Sequence, residues 1–311
     1  MCTLTIIVPT YNRPLLVQQA VSSALSQVDA PVQVLVIDDC GPTSPDFSAL
    51  SGCRLTFIRN EQNLGIAGTW RKAVSLVQTA YFAILHDDDF YCEDFARTML
   101  SLAEAYPQVP AVFCGHFVAT EDGQVSMEKT EANDRQWGRT NLREGLVEDP
   151  REPLVFRMSF HPGAAIYRRS MVTPEMIDPT IQGCIDVWLF YQIARLRLPV
   201  YFSPRRLMVY REHSGGMSKS MPDTMITGHL QCLRAMLADP ILSSHRRVLR
   251  RQLGEFQMMH AGRLALQGDF GAVLPQALQA LWLSRTPKAF AKVWLYTARA
   301  FCRGLMQKKS S

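Results

Sequence analysis

The chain predicts an α/β protein with a mostly parallel central sheet and a C-terminal helical extension, on three observations. Short apolar runs alternate with helix-spaced ones through the first hundred or so of its 311 residues. Several runs halt at polar or acidic residues: Val8 before Pro9, Thr10 and Tyr11, Ile37 before Asp38 and Asp39, Leu85 before His86 and Asp87–Asp89. From Met221 onward the strand pattern gives way to helical spacing, which divides the chain into 1–220 and 221–311.

Leu4–Val8 (LTIIV) reads as a first strand, and Pro14 then sits in the first turn of a helix carrying Val17, Ala20, Val21, Ala24 and Leu25. Val32–Ile37 is the second strand, turned away by Gly41 and Pro42, and Arg54–Arg59 the third. Asn63, Gly65 and Gly68 lead into a helix with Trp70, Val74 and Val77 on one side. Tyr81–Leu85 is the fourth strand, followed by a helix with Phe95, Met99, Leu102 and Ala103. Alternation of this kind implies a parallel sheet covered on both faces, with ligands bound outside the carboxyl ends of the strands. Thr10, Tyr11, Asp38, Asp39 and Asp87–Asp89 then converge on one edge.

Further along, Ala111–Ala119 reads as a strand and Thr120–Pro150 as a long polar excursion. Gly163, Ala164 and Ala165 would let backbone approach a ligand closely. Gly183–Leu198 is a helix with Asp186 in its first turn, where the macrodipole alone favours a carboxylate. Pro199–Ser203 and Leu207–Tyr210 look like two short strands, and Tyr210–Ser220 like a mobile loop with one imidazole, His213. Helices follow over Met225–Leu237, His245–Leu266, Phe270–Leu283 and Pro287–Met306.

Composition excludes several classes. There is no GxGxxG after the first strand and no GxxxxGK[ST], so dinucleotide and P-loop readings lose their main support. The eight cysteines form no CxxC pair, which argues against zinc ribbons and redox motifs and fits a reducing cytoplasm. The N-terminus reads as a strand and not as a signal peptide, and no run is long enough to span a membrane. The net charge of +5 is concentrated late: Phe270–Ser311 holds seven Lys or Arg and no Asp or Glu. No nucleic-acid partner is expected. The tail reads either as a packed helical cap or as an attachment to an anionic membrane surface, since Lys288–Lys309 interleaves bases with Phe290, Trp294, Leu295, Tyr296 and Phe301.

Asp87, Asp88 and Asp89 span roughly 7 Å of extended chain, so either water screens their repulsion or a cation sits among them. Oxygen ligands of this kind suit Mg²⁺ or Mn²⁺.

Taken together, IIVPTYNR (6–13), VIDD (36–39), NLGIAGTWRKA (63–73), ILHDDDF (84–90), the His161–Tyr167 loop, CIDVWL (184–189) and YREHSGGMS (210–218) resemble the family 2 glycosyltransferases of the GT-A fold. The resemblance covers about residues 1–220 and implies an inverting transfer from a nucleotide diphosphate sugar, usually a UDP-sugar, to a glycan or lipid-linked acceptor. It implies that Pro9, Thr10 and Tyr11 face the nucleobase, that Asp39 reads it beside Asp38, and that Arg71 reaches the nucleotide. Asp88 matches the metal-binding aspartate of the DxD signature, with Asp87 and Asp89 assisting, and His86 stands where many members have the first aspartate. Asp186 matches the general base, with Ile185 in place of the preceding glutamate. His213 resembles a histidine that approaches metal and diphosphate, with Arg211 adding to that clamp. Expected cofactors are Mn²⁺ or Mg²⁺, and the expected location is the cytoplasm, either free or associated with the inner face of the membrane. The alternatives are a nucleotidyltransferase of related fold and a non-catalytic carbohydrate-binding relative.

Overall fold

The computed structural model describes residues 3–50, 54–215 and 221–284. The predicted helix over Pro287–Met306, the basic tail from Lys288 and the far end of the Tyr210–Ser220 loop lie outside the described residues.

The chain forms two compact units, Met1–Thr180 with Ile185–Lys219, and Ile181–Cys184 with Ser220–Ser311. The first begins β1 (Leu4–Thr10), α1 (Leu16–Leu25), β2 (Val32–Asp38), β3 (Leu55–Arg59), α2 (Gly65–Leu76), β4 (Tyr81–Ile84). It continues β5 (Phe90–Tyr91), α3 (Phe95–Ala105), β6 (Ala111–Ala119), α4 (Met127–Gln136), β7 (Gly145–Val147), β8 (Ala165–Arg168), α5 (Ile185–Arg195), β9 (Val200–Arg211). The sheet order is β3-β2-β1-β4-β8-β6-β9-β5, with β7 also on β9. The strands from β3 to β4 run parallel, as do β6 and β9, and β8 is inserted antiparallel between β4 and β6. Leu4, Ile6 and Val8 pack with α1 and α3 residues such as Val17, Ala20, Phe95 and Met99. Ile7 and Phe82, on alternate positions, are equally buried on the other face. Both faces are therefore dry, and the strands read as continuous apolar runs.

Register aligns the strand ends. Thr10 pairs with Asp38, and the Asp39 N–H donates to Thr10 O (2.9 Å) while the Leu85 N–H donates to Ile7 O (2.8 Å). Each acid thus leaves the sheet at the same edge as Thr10.

Two expectations change. Within the polar excursion lies α4, capped by Ser126 Oγ, which accepts the Lys129 N–H (3.3 Å). Only Thr130 of α4 is buried, so no apolar period reveals the helix. The two short strands near 200 are one strand, β9: Pro204 and Arg205 are exposed at an irregularity opposite Cys114 and Gly115. A Cβ on Gly115 would stand 2.9 Å from Pro204 O.

The second unit holds α6 (Asp223–Ala238), α7 (Arg246–Gln267) and α8 (Phe270–Ser284). Gly268, with φ 85°, ends α7 in the left-handed conformation, and Met258 and Ala261 pack on Val273, Ala277 and Ala280. Among the described residues no helix is long and apolar enough to cross a membrane.

Candidate active site

The carboxyl edge carries two acid-tipped strand ends. At β2, Asp38 is buried and its Oδ2 accepts from Arg59 Nη1 (2.6 Å) while Oδ1 accepts the Gly41 N–H (3.1 Å). Gly41 is required there, because a Cβ would meet Asn12 N at 2.8 Å. Asp39 Oδ1 accepts from Asn60 Nδ2 and from the Leu64 N–H, both at 2.8 Å. Asn12, just after β1, and Cys40, just after β2, both hold positive φ (55° and 60°), local strain of the kind that collects at functional sites. Pro9 is half-buried, Tyr11 is half-exposed, and Arg71 is exposed on α2.

At β4, Thr10 Oγ1 donates to Asp87 Oδ2 (2.8 Å). Arg13 Nη1 bridges Asp87 Oδ1 (2.9 Å) and Asp88 Oδ2 (2.6 Å), and its Nη2 donates to Gly215 O (3.2 Å). His213 Nε2 lies 2.9 Å from the same Asp88 oxygen. Burial pushes the Asp88 carboxyl up, but His86, Arg13 and His213 together hold it below its ordinary value. Burial pushes the Asp87 carboxyl above its ordinary value against the pull of Arg13. Asp89 is driven well up by burial and then by the Asp88 charge. Its Oδ1 accepts the Arg211 N–H (2.9 Å), and its Oδ2 is buried without a hydrogen-bond partner among the described residues.

Arg211 turns inward. Its Nε donates to Asp88 O (3.0 Å), Nη1 to Glu121 O (3.1 Å), and Nη2 to Gln19 Oε1, so its donors brace the turn and do not point into the site.

Behind Asp89 lie His86 Nδ1 (3.6 Å) and His161 Nε2 (3.9 Å), a set close enough to suggest a second ion. The His161 ring argues otherwise. Its Nδ1 accepts the Gly163 N–H (3.1 Å), so in the neutral ring Nε2 carries the proton and has no lone pair for a metal. Burial pulls the His161 pKa well down, which keeps the ring neutral.

Asp186 sits half-buried in the first turn of α5. Tyr167 on β8 feels its charge: the phenol is raised by burial and then by Asp186, and donates to Pro162 O (2.9 Å). Asp186 thus lies within electrostatic reach of the Tyr167 phenol, on the strand that pairs with the start of β4 through Phe82. Arg13, which meets both carboxylates, has no role in the sequence reading. Its one signal was its place directly after PTYN.

The sequence model of Glycosyl transferase family 2 matches residues 5–173, more than half of the chain. The Escherichia coli UDP-Glc:alpha-D-GlcNAc-diphosphoundecaprenol beta-1,3-glucosyltransferase WfgD is 29% identical over 100 residues, 32% of this chain and 40% of that protein. The first curated relatives are matched over about a third of their own length. Among solved structures, S. aureus TarS 1-349 in complex with UDP-GlcNAc aligns with a TM-score of 0.59 at 15% identity, covering 96% of this chain and 88% of that one. The mannosyltransferase PcManGT from Pyrobaculum calidifontis, in complex with GDP-Man and Mn2+, aligns at 0.56 and 19%, covering 98% and 88%. At these identities the structural likeness shows the fold.

Proposed function

The chain belongs to glycosyl transferase family 2, and on that premise we propose that it is an inverting glycosyltransferase. It moves a sugar from a UDP-sugar to a hydroxyl of a glycan or lipid-linked saccharide, assisted by Mn²⁺ or Mg²⁺. The observation that carries this reading is the meeting of Thr10, Arg13, Asp87, Asp88 and His213 through hydrogen bonds at the carboxyl edge of the sheet. The UDP-GlcNAc bound to TarS, the GDP-Man and Mn²⁺ bound to PcManGT, and the UDP-Glc donor and diphosphoundecaprenol-linked acceptor of WfgD support the donor, ion and acceptor classes.

The donor set fits such an ion. Asp88 keeps its carboxylate charged on an oxygen-rich turn, and in the ion-free arrangement the His213 Nε2–H donates to it. Asp88 would hold the ion, with Asp89 behind, and His213 would add a nitrogen only once its Nε2–H leaves Asp88 Oδ2. When bound, the ion neutralises charge growing on the departing diphosphate. The chain's own residues do the rest. Tyr11, flanked by Pro9 and Thr10, stacks on the base, Asp39 reads its edge beside Asp38, and Arg71 reaches the nucleotide from α2. Asp186 takes the proton of the acceptor hydroxyl as it attacks from the face opposite the leaving group, which inverts the anomeric carbon. Asp186→Asn should cut transfer by about 10² to 10⁴-fold while UDP affinity stays near wild type. Transfer at near wild-type rate overturns the assignment.

An anionic membrane surface is the second partner. Leu274, Leu278 and Trp282 are exposed one helical turn apart on α8, a helix without a charged residue, and the sequence around and after it is basic. Leu278→Ser with Trp282→Ser should lower co-flotation with anionic liposomes, and undiminished flotation removes this surface from the reading.

A further inference from the structure

Two cations cannot share the notch between Asp87 and Asp88, and in this structure Arg13 already fills it. Its Nη1 donates to an oxygen of each carboxylate, at 2.9 and 2.6 Å. The Asp88 oxygen it uses, Oδ2, also faces His213 Nε2 at 2.9 Å, so that one atom carries two donors. The second guanidinium nitrogen reaches Gly215 O, two residues beyond His213. A divalent ion that takes Asp88 therefore meets a fixed positive charge on the same carboxylate. Guanidinium is also the group best shaped to grip phosphate oxygens once released.

We propose that Arg13 is an internal counter-cation, which holds Asp87 and Asp88 until a divalent ion displaces it and then turns to the diphosphate of the donor. The proposal rests on the reading of Asp88 as the metal ligand. Arg13 acts here through the two carboxylates and is a positioning residue. By linkage, whatever Arg13 gains from the carboxylates in the metal-free protein is lost from metal affinity, and nucleotide recovers it by giving the guanidinium a new partner. Nucleotide and ion should then bind with positive cooperativity through this side chain. The bond to Gly215 O couples the exchange to the loop that carries His213.

The test is Mn²⁺ binding to the full chain without nucleotide, followed by electron paramagnetic resonance. Arg13→Gln should bind Mn²⁺ about tenfold to a hundredfold tighter than wild type, the weight of one charge-assisted hydrogen bond. Arg13→Lys, which keeps the charge, should stay within a fewfold of wild type. UDP should tighten Mn²⁺ binding in wild type and do so less in Arg13→Gln. Unchanged or weaker Mn²⁺ binding by a folded Arg13→Gln overturns the proposal. If that variant does not fold, the wild type decides: its Arg13 side-chain ¹⁵N signal should shift on Mg²⁺ addition with the same midpoint as ion binding, and a static signal overturns the exchange. Asp88→Asn separates the two readings. Loss of Mn²⁺ binding there, with no change in Arg13→Gln, defeats only the role of Arg13, whereas wild-type Mn²⁺ binding by Asp88→Asn defeats the metal site and the exchange together.

Discussion

The ends of β2 and β4 are both tipped with aspartates, yet they are compensated in opposite ways. At β2 each acid has its own partners: Arg59 and the Gly41 N–H for Asp38, Asn60 and the Leu64 N–H for Asp39. At β4 one guanidinium spans Asp87 and Asp88, with Thr10 on the first and His213 on the second, and among the described residues Asp89 Oδ2 is buried without a hydrogen-bond partner. An acid pair held by several fixed donors is rigid and suits reading a fixed pattern of donors on a base. At β4 burial pushes Asp87 and Asp89 toward the neutral form, and Asp88, held low by its cationic neighbours, is the acid that keeps its charge for an incoming cation. On the proposed function, the same residue type would serve recognition at one strand end and charge binding at the next, with the neighbours deciding which.

The largest test of this contrast is Asp88→Ala. It should lower transfer by about a thousandfold and remove the Mn²⁺-dependent thermal stabilisation by UDP. If Mn²⁺ with UDP still raises Tm as in wild type, the β4 end is not the cation site. Asp39→Ala should act on binding more than on turnover. UDP affinity should fall about tenfold to a hundredfold by calorimetry, the range for losing one hydrogen bond to a base. Its metal affinity without nucleotide should stay at the wild-type value. Equal UDP affinity in the variant and wild type would remove base reading from the β2 end.

How much of this was legible follows from the reach of each signal. The strand ends were readable because β-branched runs stop abruptly at acid within a few residues, and α/β alternation then fixes which edge they share. The contacts of Arg13 are not legible in the sequence, because its partners lie 74 and 75 residues away and a single basic residue in a turn has no period. The antiparallel insertion of β8 was hidden, since an apolar run carries no direction, and β5 and β7 are too short to show alternation. Arg211 looked like part of the clamp because sequence gives proximity to His213 but not the inward turn that spends its donors on Asp88 O and Glu121 O.

The smallest effect separates the two ends by pH. Behind the β4 aspartates the rings of His86, His161 and His116 follow one another at 5.1 and 5.4 Å, and no comparable layer backs Asp38 and Asp39 among the described residues. His116 is pulled down from 6.5 to about 3 by burial and then by Arg139, against the pull of Asn133 and Asp134. Between those values the unfolded chain binds a proton at this site and the folded chain does not, so stability falls as pH drops below about 6.5. The slope for one such group is about 1.4 kcal/mol per pH unit. His116→Gln keeps a donor for Asn133 Oδ1, which lies 3.2 Å from the imidazole Nε2, and loses the titration. In urea unfolding at pH 7, 6 and 5, the gap between wild type and His116→Gln should therefore shift in favour of the variant as pH falls. A gap independent of pH would mean that His116 is not held neutral, and that the layer behind β4 does not make this end the acid-sensitive one.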